Sequence, residues 1–397
     1  MAGLRYVNFM FSSRFKWSLE TNQLTQLIEE KKRKGIEILD LTETNPTTAG
    51  FQLSLPFLIN SESFIYQPDP RGLLATREAV AKYYSESRAQ KISPEQIFLT
   101  ASTSEAYSWL FKLLCDQGDE VLIPQPSYPL FEFLAVMEGV EIKPYSLDYA
   151  HSFGWSLDVE GLEKLISSKT KAVVIVNPNN PTGSYLKIAE WEKLQAICAA
   201  KNIAMMVDEV FFDYSFQNTE PPNLNFSGAS ALTFVMNGLS KMLALPQMKL
   251  GWIAVCGERD LRTEAQQKME LIADTYLSVN TPVQVAAPAW LDSREVIQAP
   301  IKSRVNANWD YLNTVFAKSN CRILKADGGW CAVLEVPRFE AEEKTVLQLL
   351  KEDNLLVHPG YFFDFESEGF LMVSLLTPPE IFREGVSIIR DYFAKSV

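Results

Sequence analysis

The chain predicts an α/β protein with a mostly parallel main sheet, joined to a smaller α+β region. Three observations carry that reading. Helix-like and strand-like segments alternate from about residue 46 to residue 285, the pattern of successive βα units. Several strand segments are continuous apolar runs, as strands covered on both faces require. Beyond residue 286 the alternation gives way to helical stretches with two short apolar strands between them.

The elements follow in order. TNQLTQLIEEKKRKG (21–35) sets Leu24, Leu27 and Ile28 on one helical face, with Gly35 as a C-terminal stop. EILDLT (37–42) reads as a strand and GLLATREAVAKYYSES (72–87) as an amphipathic helix. Ser102 to Leu114 is a further helix, and DQGDEVLIP after it is a turn and a strand. TKAVVIVNP (170–178) and IAMMVDEV (203–210) are buried strands on either side of the helix AEWEKLQAICAAKN (189–202). ALTFVMNGLS (231–240) and GWIAVCG (251–257) continue the series. Residues 286–320 read as helical, and GGWCAVLEVP (328–337) and GFLMVSLL (369–376) as strands. The expected division is an arm and part of a small domain over 1–45, a large domain over 46–285 and a small domain over 286–397.

Composition excludes several classes of function. Lysine and arginine number 37 against 49 acidic residues, a net charge of −12. That balance argues against a nucleic-acid backbone as partner, though a small anion needs only a local positive site. Five scattered cysteines without a CxxC give neither a disulfide framework nor a zinc ribbon. Two histidines, His151 and His358, are too few for a multi-histidine metal site, so no metal is expected. The N-terminal stretch lacks the apolar run of a signal peptide, and no segment has the apolar length of a membrane span. A soluble, cytoplasmic protein is the expectation.

Ligands of open α/β sheets sit beyond the carboxyl ends of the strands. Three apolar strands here end in unusual chemistry. One runs into NPNNPTG (177–183), where Asn180 offers a donor and an acceptor. One ends at Asp208 after five apolar residues, where a carboxylate needs a cation or several donors. The third ends at Ser240-Lys241, inside NGLSKMLALPQMKLGW, which carries a second lysine at Lys249. An ion pair of Asp208 with Lys241 is the bland account. Bound pyridoxal phosphate accounts for more. Its pyridine nitrogen calls for an acidic partner, its aldehyde for a desolvated lysine, its phenolic oxygen for a donor such as Asn180. Its phosphate calls for a helix N-terminus with hydroxyls, which Ser102, Thr103 and Ser104 supply.

NPNNPTG, VDEVF, GLSK, YQPDPRGLLATREAVAKYY, GDEVLIPQPSYPLF and HPGYFF together resemble, in order, the motifs of the class I/II aminotransferases, pyridoxal phosphate enzymes of fold type I. The resemblance implies a seven-stranded sheet between helices in the large domain. It implies that Lys241 forms the Schiff base and shuttles protons, that Asp208 partners the pyridinium and that Asn180 donates to the cofactor oxygen. It implies that Tyr128 stacks on the ring, that Ser102, Thr103, Ser104, Ser240 and Lys249 hold the phosphate, and that Tyr66 reaches a neighbouring subunit's phosphate in a homodimer with shared active sites. The implied activity is ping-pong transfer of an amino group between an amino acid or amine and a keto acid; a lyase or decarboxylase on the same fold is the alternative.

Four positions depart from the resemblance. Phe211 replaces a tyrosine whose hydroxyl donates to the cofactor oxygen, a loss expected to raise the pKa of the lysine–cofactor imine. Gly238 replaces a serine of the phosphate site. Lys249 replaces an arginine, a point charge in place of a fork. Met372 stands where an arginine binds the substrate's α-carboxylate, a pair of about 1.5–3 kcal/mol. Arg71, Lys325 and Arg338 are the candidates for a relocated cation. His358 is expected to be structural, and Glu105 to favour the dipole of its helix.

Overall fold

The computed structural model describes residues 21–51 and 68–394. The larger sheet gathers β2 (Ile97–Thr100), β3 (Glu120–Gln125), β4 (Glu141–Ala150), β5 (Gly154–Leu157), β6 (Thr170–Val176), β7 (Ala204–Asp208), β8 (Thr233–Gly238) and β9 (Gly251–Cys256). Its helices are α2 (Leu74–Arg88), α3 (Thr103–Leu114), α4 (Phe131–Met137), α5 (Val159–Leu165), α6 (Ile188–Lys201), α7 (Leu239–Met242), α8 (Arg259–Tyr276) and α9 (Thr281–Asp292). The remainder comprises α1 (Gln23–Arg33), β1 (Leu39–Asp40), α10 (Arg294–Phe316), β10 (Arg322–Ile323), β11 (Cys331–Glu335) and α11 (Glu342–Asp353). It ends with β12 (Leu355–Leu356), β13 (His358–Pro359), β14 (Phe370–Ser374) and α12 (Pro379–Ala394).

The large sheet has the order β2-β9-β8-β7-β6-β3-β4-β5, and β8, β7, β6, β3 and β4 run parallel to one another. It has eight strands where seven were expected. The additional strand is β5, which turns back on β4 as an antiparallel hairpin with Leu147 opposite Leu157. β4 is exposed along much of its length, so β5 extends an edge and carries no apolar run to announce it. β9 is antiparallel to both neighbours. The apolar runs are explained by the two faces. Val173, Ile175, Met205, Val207 and Val235 pack with Trp191, Leu194 and Trp290 on one side. Ala172, Val174, Met206, Phe234 and Met236 pack with Phe111 and Met269 on the other. Period-two alternation thus feeds two cores, and no position along these strands is free to be polar until the strand ends.

The smaller sheet, β10-β11-β14-β13, is antiparallel. Its core combines Leu334, Leu371 and Val373 with Leu312, Leu349, Phe382 and Ile389 of α10, α11 and α12. Leu24 and Leu41 join the same core, because β1 pairs in parallel with β12, Leu39 opposite Leu355. The first helix is capped by Asn22, whose side chain accepts the Thr25 N–H at 2.8 Å. Lys31, Lys32 and Arg33 complement its C-terminal dipole, and Gly35 follows with φ 67°.

Register places the polar strand ends side by side. Val176 lies opposite Asp208, and Asp208 opposite Met236. One residue beyond Asp208, Glu209 is fully buried and paired with Arg88 at the end of α2, with Nη1 and Nη2 donating at 2.5 and 3.0 Å. Burial disfavours the Arg88 charge, but the Glu209 carboxylate more than offsets this and holds the guanidinium ionised. The guanidinium also lies over the Phe212 ring, 3.2 Å from its centroid. Removing one member of such a pair strands the other charge. We expect Arg88→Met to cost about 3–5 kcal/mol and the double change Arg88→Met with Glu209→Gln to recover most of it. Urea unfolding of the three proteins measures this; equal losses in single and double variants would refute the pairing as the source.

Candidate active site

The site is built at the carboxyl ends of β6, β7 and β8. Asp208 closes β7, buried, with Oδ2 accepting the Tyr107 hydroxyl at 3.1 Å and Oδ1 the Val210 N–H at 3.1 Å. Burial pushes its carboxyl up to about 6, and the two hydrogen bonds and the charge of Lys241 offset this only in part. No lysine or arginine among the described residues forms an ion pair with it.

β8 ends at Gly238 and passes into α7, which carries Lys241. The backbone there is held firmly. The Tyr214 hydroxyl donates to the Lys241 and Met242 carbonyls at 3.0 and 3.1 Å, and the Gln298 amide donates to the latter at 3.1 Å. The Lys241 amine lies between rings, 5.3 Å from the Trp330 centroid and 5.5 Å from that of Phe211. Burial pulls its pKa below the ordinary lysine value, while Cys331, Asp208 and Glu43 act in the other direction. Cys331 is itself pushed up to about 11 by burial. The indole N–H of Trp330 is buried and has no acceptor.

β6 ends in the Asn-Pro turn. Asn177 spends its side chain on the turn and its surroundings, accepting from the Leu186 N–H at 3.0 Å and donating to Glu209 at 3.2 Å. Asn179 donates to the Pro126 carbonyl and to Thr182, both at 3.0 Å. The Asn180 amide has no partner among the described residues and lines a cavity of about 180 Å³ bounded by Tyr128, Cys331, His358 and Met372. Burial, and to a lesser degree the charge of Asp208, raises the pKa of the Tyr128 hydroxyl.

The start of α3 forms a cup with the β8–β9 pair. Ser102 caps the helix, accepting the Glu105 N–H at 3.2 Å, and Thr103 and Ser104 follow in its first turn. Glu105 accepts the Ala101 N–H at 2.6 Å and the Ser278 hydroxyl at 2.8 Å, a local role beyond that of a dipole partner. A Cβ on Gly238 would meet the Leu250 carbonyl oxygen at 2.9 Å and Gly251 Cα at 3.0 Å. Backbone cannot yield there, so a serine at 238 does not fit this chain without a shift. Packing therefore accounts for that departure. Lys249 is exposed, without hydrogen bond or ion pair among the described residues, in a left-handed conformation at φ 51° just before β9. Tyr66 lies outside the described residues.

The proposed replacement cations are engaged elsewhere. Arg71 pairs with Glu270 at 2.6 Å and donates to the Glu95 carbonyl. Lys325 donates to the Ser152 carbonyl at 2.9 Å and Arg338 to Ser367 at 3.2 Å. None of the three lines the cavity. His358 does line it, half-buried, with burial holding its pKa low; its ring lies against Phe362 and Phe363. Tyr107, Trp330 and the Arg88–Glu209 pair were not evident in the sequence. Tyr107 follows Thr103 by one helical turn and reads as core; Arg88 reads as a basic residue at a helix end. Among the described residues no cluster suits a metal ion, and no helix is long and apolar enough to cross a membrane.

These residues suit pyridoxal phosphate. A buried carboxylate lacks a cation, a buried amine lacks a hydrogen-bond partner, and an amide lacks a protein partner, all at adjacent strand ends. A protonated pyridine nitrogen, an aldehyde and a phenolic oxygen would complement these three in turn.

The family model for aminotransferase class I and II matches residues 37–388. The chain is 25% identical over 359 residues to the glutamate-pyruvate aminotransferase AlaA of Haemophilus influenzae, covering 87% of this chain and 88% of that protein. It is 26% identical over 363 residues to an alanine aminotransferase of Mycobacterium tuberculosis, covering 86% and 82%. The solved alanine aminotransferase of Pyrococcus furiosus shares the fold, with a TM-score of 0.83 at 24% identity over 94% of this chain and 96% of that one. Buried Asp208 with half-buried Lys241 and Asn180 at the ends of a mostly parallel sheet thus coincides with a match along nearly the whole length, and the chain belongs to the class I and II aminotransferases, pyridoxal phosphate enzymes of fold type I.

Proposed function

We propose that this aminotransferase works through Lys241, with Asp208 and Asn180 holding the cofactor ring and the α3 cup with Ser240 and Lys249 holding its phosphate. The observation that carries the reading is the uncompensated charge of buried Asp208 beside a lowered lysine amine. Bound pyridoxal phosphate supplies an aldehyde for an amine and a protonated ring that accepts an electron pair. Lys241 would be the amine that holds the aldehyde and the base that moves a proton at the substrate carbon. Asp208 would keep the ring nitrogen protonated, with Tyr107 fixing the orientation of Asp208, and Asn180 would donate to the ring oxygen. Tyr128 would stack on the ring.

The relatives are aminotransferases by name, which favours transfer of an amino group over lyase or decarboxylase chemistry. The reading extends to a cytoplasmic homodimer in which Tyr66 reaches the partner's phosphate. Unpaired cysteines, Cys198, Cys256 and Cys321 among them, suit a reducing compartment. It also divides the chain at 46–285 and 286–397, with 1–45 as an arm and part of the small domain; the two sheets have separate cores, but α9 carries Ala286, Ala287, Trp290 and Leu291 into the larger one, which favours a boundary after α9 over one at 285.

Three outcomes are expected. Lys241→Ala should lower turnover by about 10³-fold or more, with loss of the absorbance of lysine-held cofactor; unchanged turnover would sink the assignment. Asp208→Asn separates stability from function. The folded pKa near 6 lies above the ordinary 3.8. Cofactor-free protein therefore loses up to about 3 kcal/mol as pH rises from 4 through 6, and the asparagine variant should not. The same variant should lose activity and most of the thermal stabilisation that added cofactor confers. Thermal melts across pH, with and without cofactor, check both halves. Lys249→Met should weaken cofactor affinity about tenfold or more, while Lys249→Arg should not; equilibrium dialysis measures this.

A further inference from the structure

The wall of the 180 Å³ cavity beside Asn180 carries no lysine or arginine among the described residues. Its floor is apolar, formed by Leu41, Phe363, Met372 and Val373. Met372 is nearly inaccessible and sits opposite both Val333 and His358 in the small sheet. Apart from Lys241, the candidate cations are committed elsewhere. Arg71, Lys325 and Arg338 bind Glu270, the Ser152 carbonyl and Ser367. Arg304, which touches the 42–51 loop, donates to the Ala49 and Leu376 carbonyls and lies over the Phe51 ring.

The hydroxyl and amide groups of the wall, those of Thr42, Thr44, Asn180 and Ser374, carry no charge. Glu43 lies between the two threonines, but its carboxylate is turned to the Asn45 N–H and the Thr48 hydroxyl, each at 2.6 Å, and its carbonyl accepts the Ser374 hydroxyl. Asp40 accepts the Thr42 N–H and hydroxyl at 2.7 Å. A carboxylate placed in this cavity would meet an apolar floor and no cation among the wall residues. A substrate with an apolar or hydroxylated group there would meet the chemistry present.

We propose that the substrate exchanged at Lys241 is a primary amine, or the matching aldehyde or ketone, whose reacting carbon bears no carboxylate. This rests on the aminotransferase reading and specifies its substrate. The donor R–CH₂–NH₃⁺ becomes R–CHO, while a carbonyl acceptor R′–CO–R″ becomes R′–CH(NH₃⁺)–R″. The donor loses a C–H electron pair and its nitrogen; the acceptor gains both. Water consumed in the first half is released in the second, and no external oxidant is needed.

The test uses the holoenzyme and amine–amino acid pairs that differ only in the carboxylate: ethylamine with alanine, 3-methylbutylamine with leucine, 2-phenylethylamine with phenylalanine, 1,4-diaminobutane with ornithine. The rate at which the absorbance of lysine-held cofactor is lost is the first readout. The amine of the best pair should react at least tenfold faster than its amino acid. Met372→Arg should shift that preference at least tenfold towards the amino acid, and Met372→Lys in the same direction if the larger residue does not fold. Calorimetric binding of 3-phenylpropionate, which has a carboxylate but no amine, is the second readout and should tighten at least tenfold in the folded variant. Amino acids outpacing their amines throughout would overturn the inference and leave the aminotransferase reading standing. Failure of both classes to convert the cofactor would overturn that reading and the inference with it.

Discussion

Asp208 and Glu209 are consecutive residues at the end of β7, both buried, and only Glu209 has a protein cation. Arg88 crosses from the end of α2 to hold it, and the pairing fixes the exit of β7 against α2 and the Asn-Pro turn through Asn177. Asp208 is therefore presented at a defined place with its charge unmet. A low-dielectric interior makes an unmet carboxylate costly, and the upward displacement of its pKa measures that cost. Such a residue persists where something outside the chain supplies the missing positive charge. The Tyr107 hydroxyl orients that carboxylate by donating to it.

Lys241 is governed by the same constraint with opposite sign. Its amine sits among Trp330, Phe211 and Cys331, none of which stabilises an ammonium as water does. A deprotonated amine is a nucleophile and a base, so the aromatic seat does chemical work as well as packing. That seat is built by both sheets. Phe211 follows β7, while Trp330 precedes β11 of the antiparallel sheet, and Tyr214 joins them by packing on Trp330 and binding the Lys241 carbonyl. The smaller sheet thus supplies half of the lysine's environment.

Much of this was legible in the residues. Apolar runs ending in Asn180, Asp208 and Lys241 announce buried strands with reactive ends, because a parallel strand tolerates polarity only where it leaves the sheet. Gly35 marked the end of a helix by its backbone chemistry. What stayed hidden depends on tertiary pairing. Arg88 looks like any basic residue in a last helical turn until Glu209 is found against it. Tyr107 looks like core, which it also is. β5 alternates and lies at an edge, so it carries no continuous apolar signature. The engagement of Arg71 by Glu270, 199 positions away, has no local trace at all.

The departures from the family pattern are of different kinds, and the structure sorts them. Gly238 answers to backbone clearance, since Leu250 and Gly251 occupy the space of a side chain. Lys249 keeps one positive charge at the turn before β9 and accepts a left-handed backbone there, a conformation that costs about 1 kcal/mol or more in a non-glycine residue and has no packing reason in this chain. Phe211 trades a hydroxyl for an apolar face under the Lys241 amine. Met372 puts an apolar side chain into the cavity beside Leu41, Phe363 and Val373, where an arginine would bring a cation. On the proposed reading, cofactor capture and substrate choice are separable in this fold: the strand ends of the large sheet would hold the first, and one strand of the small sheet with the 42–44 loop would set the second.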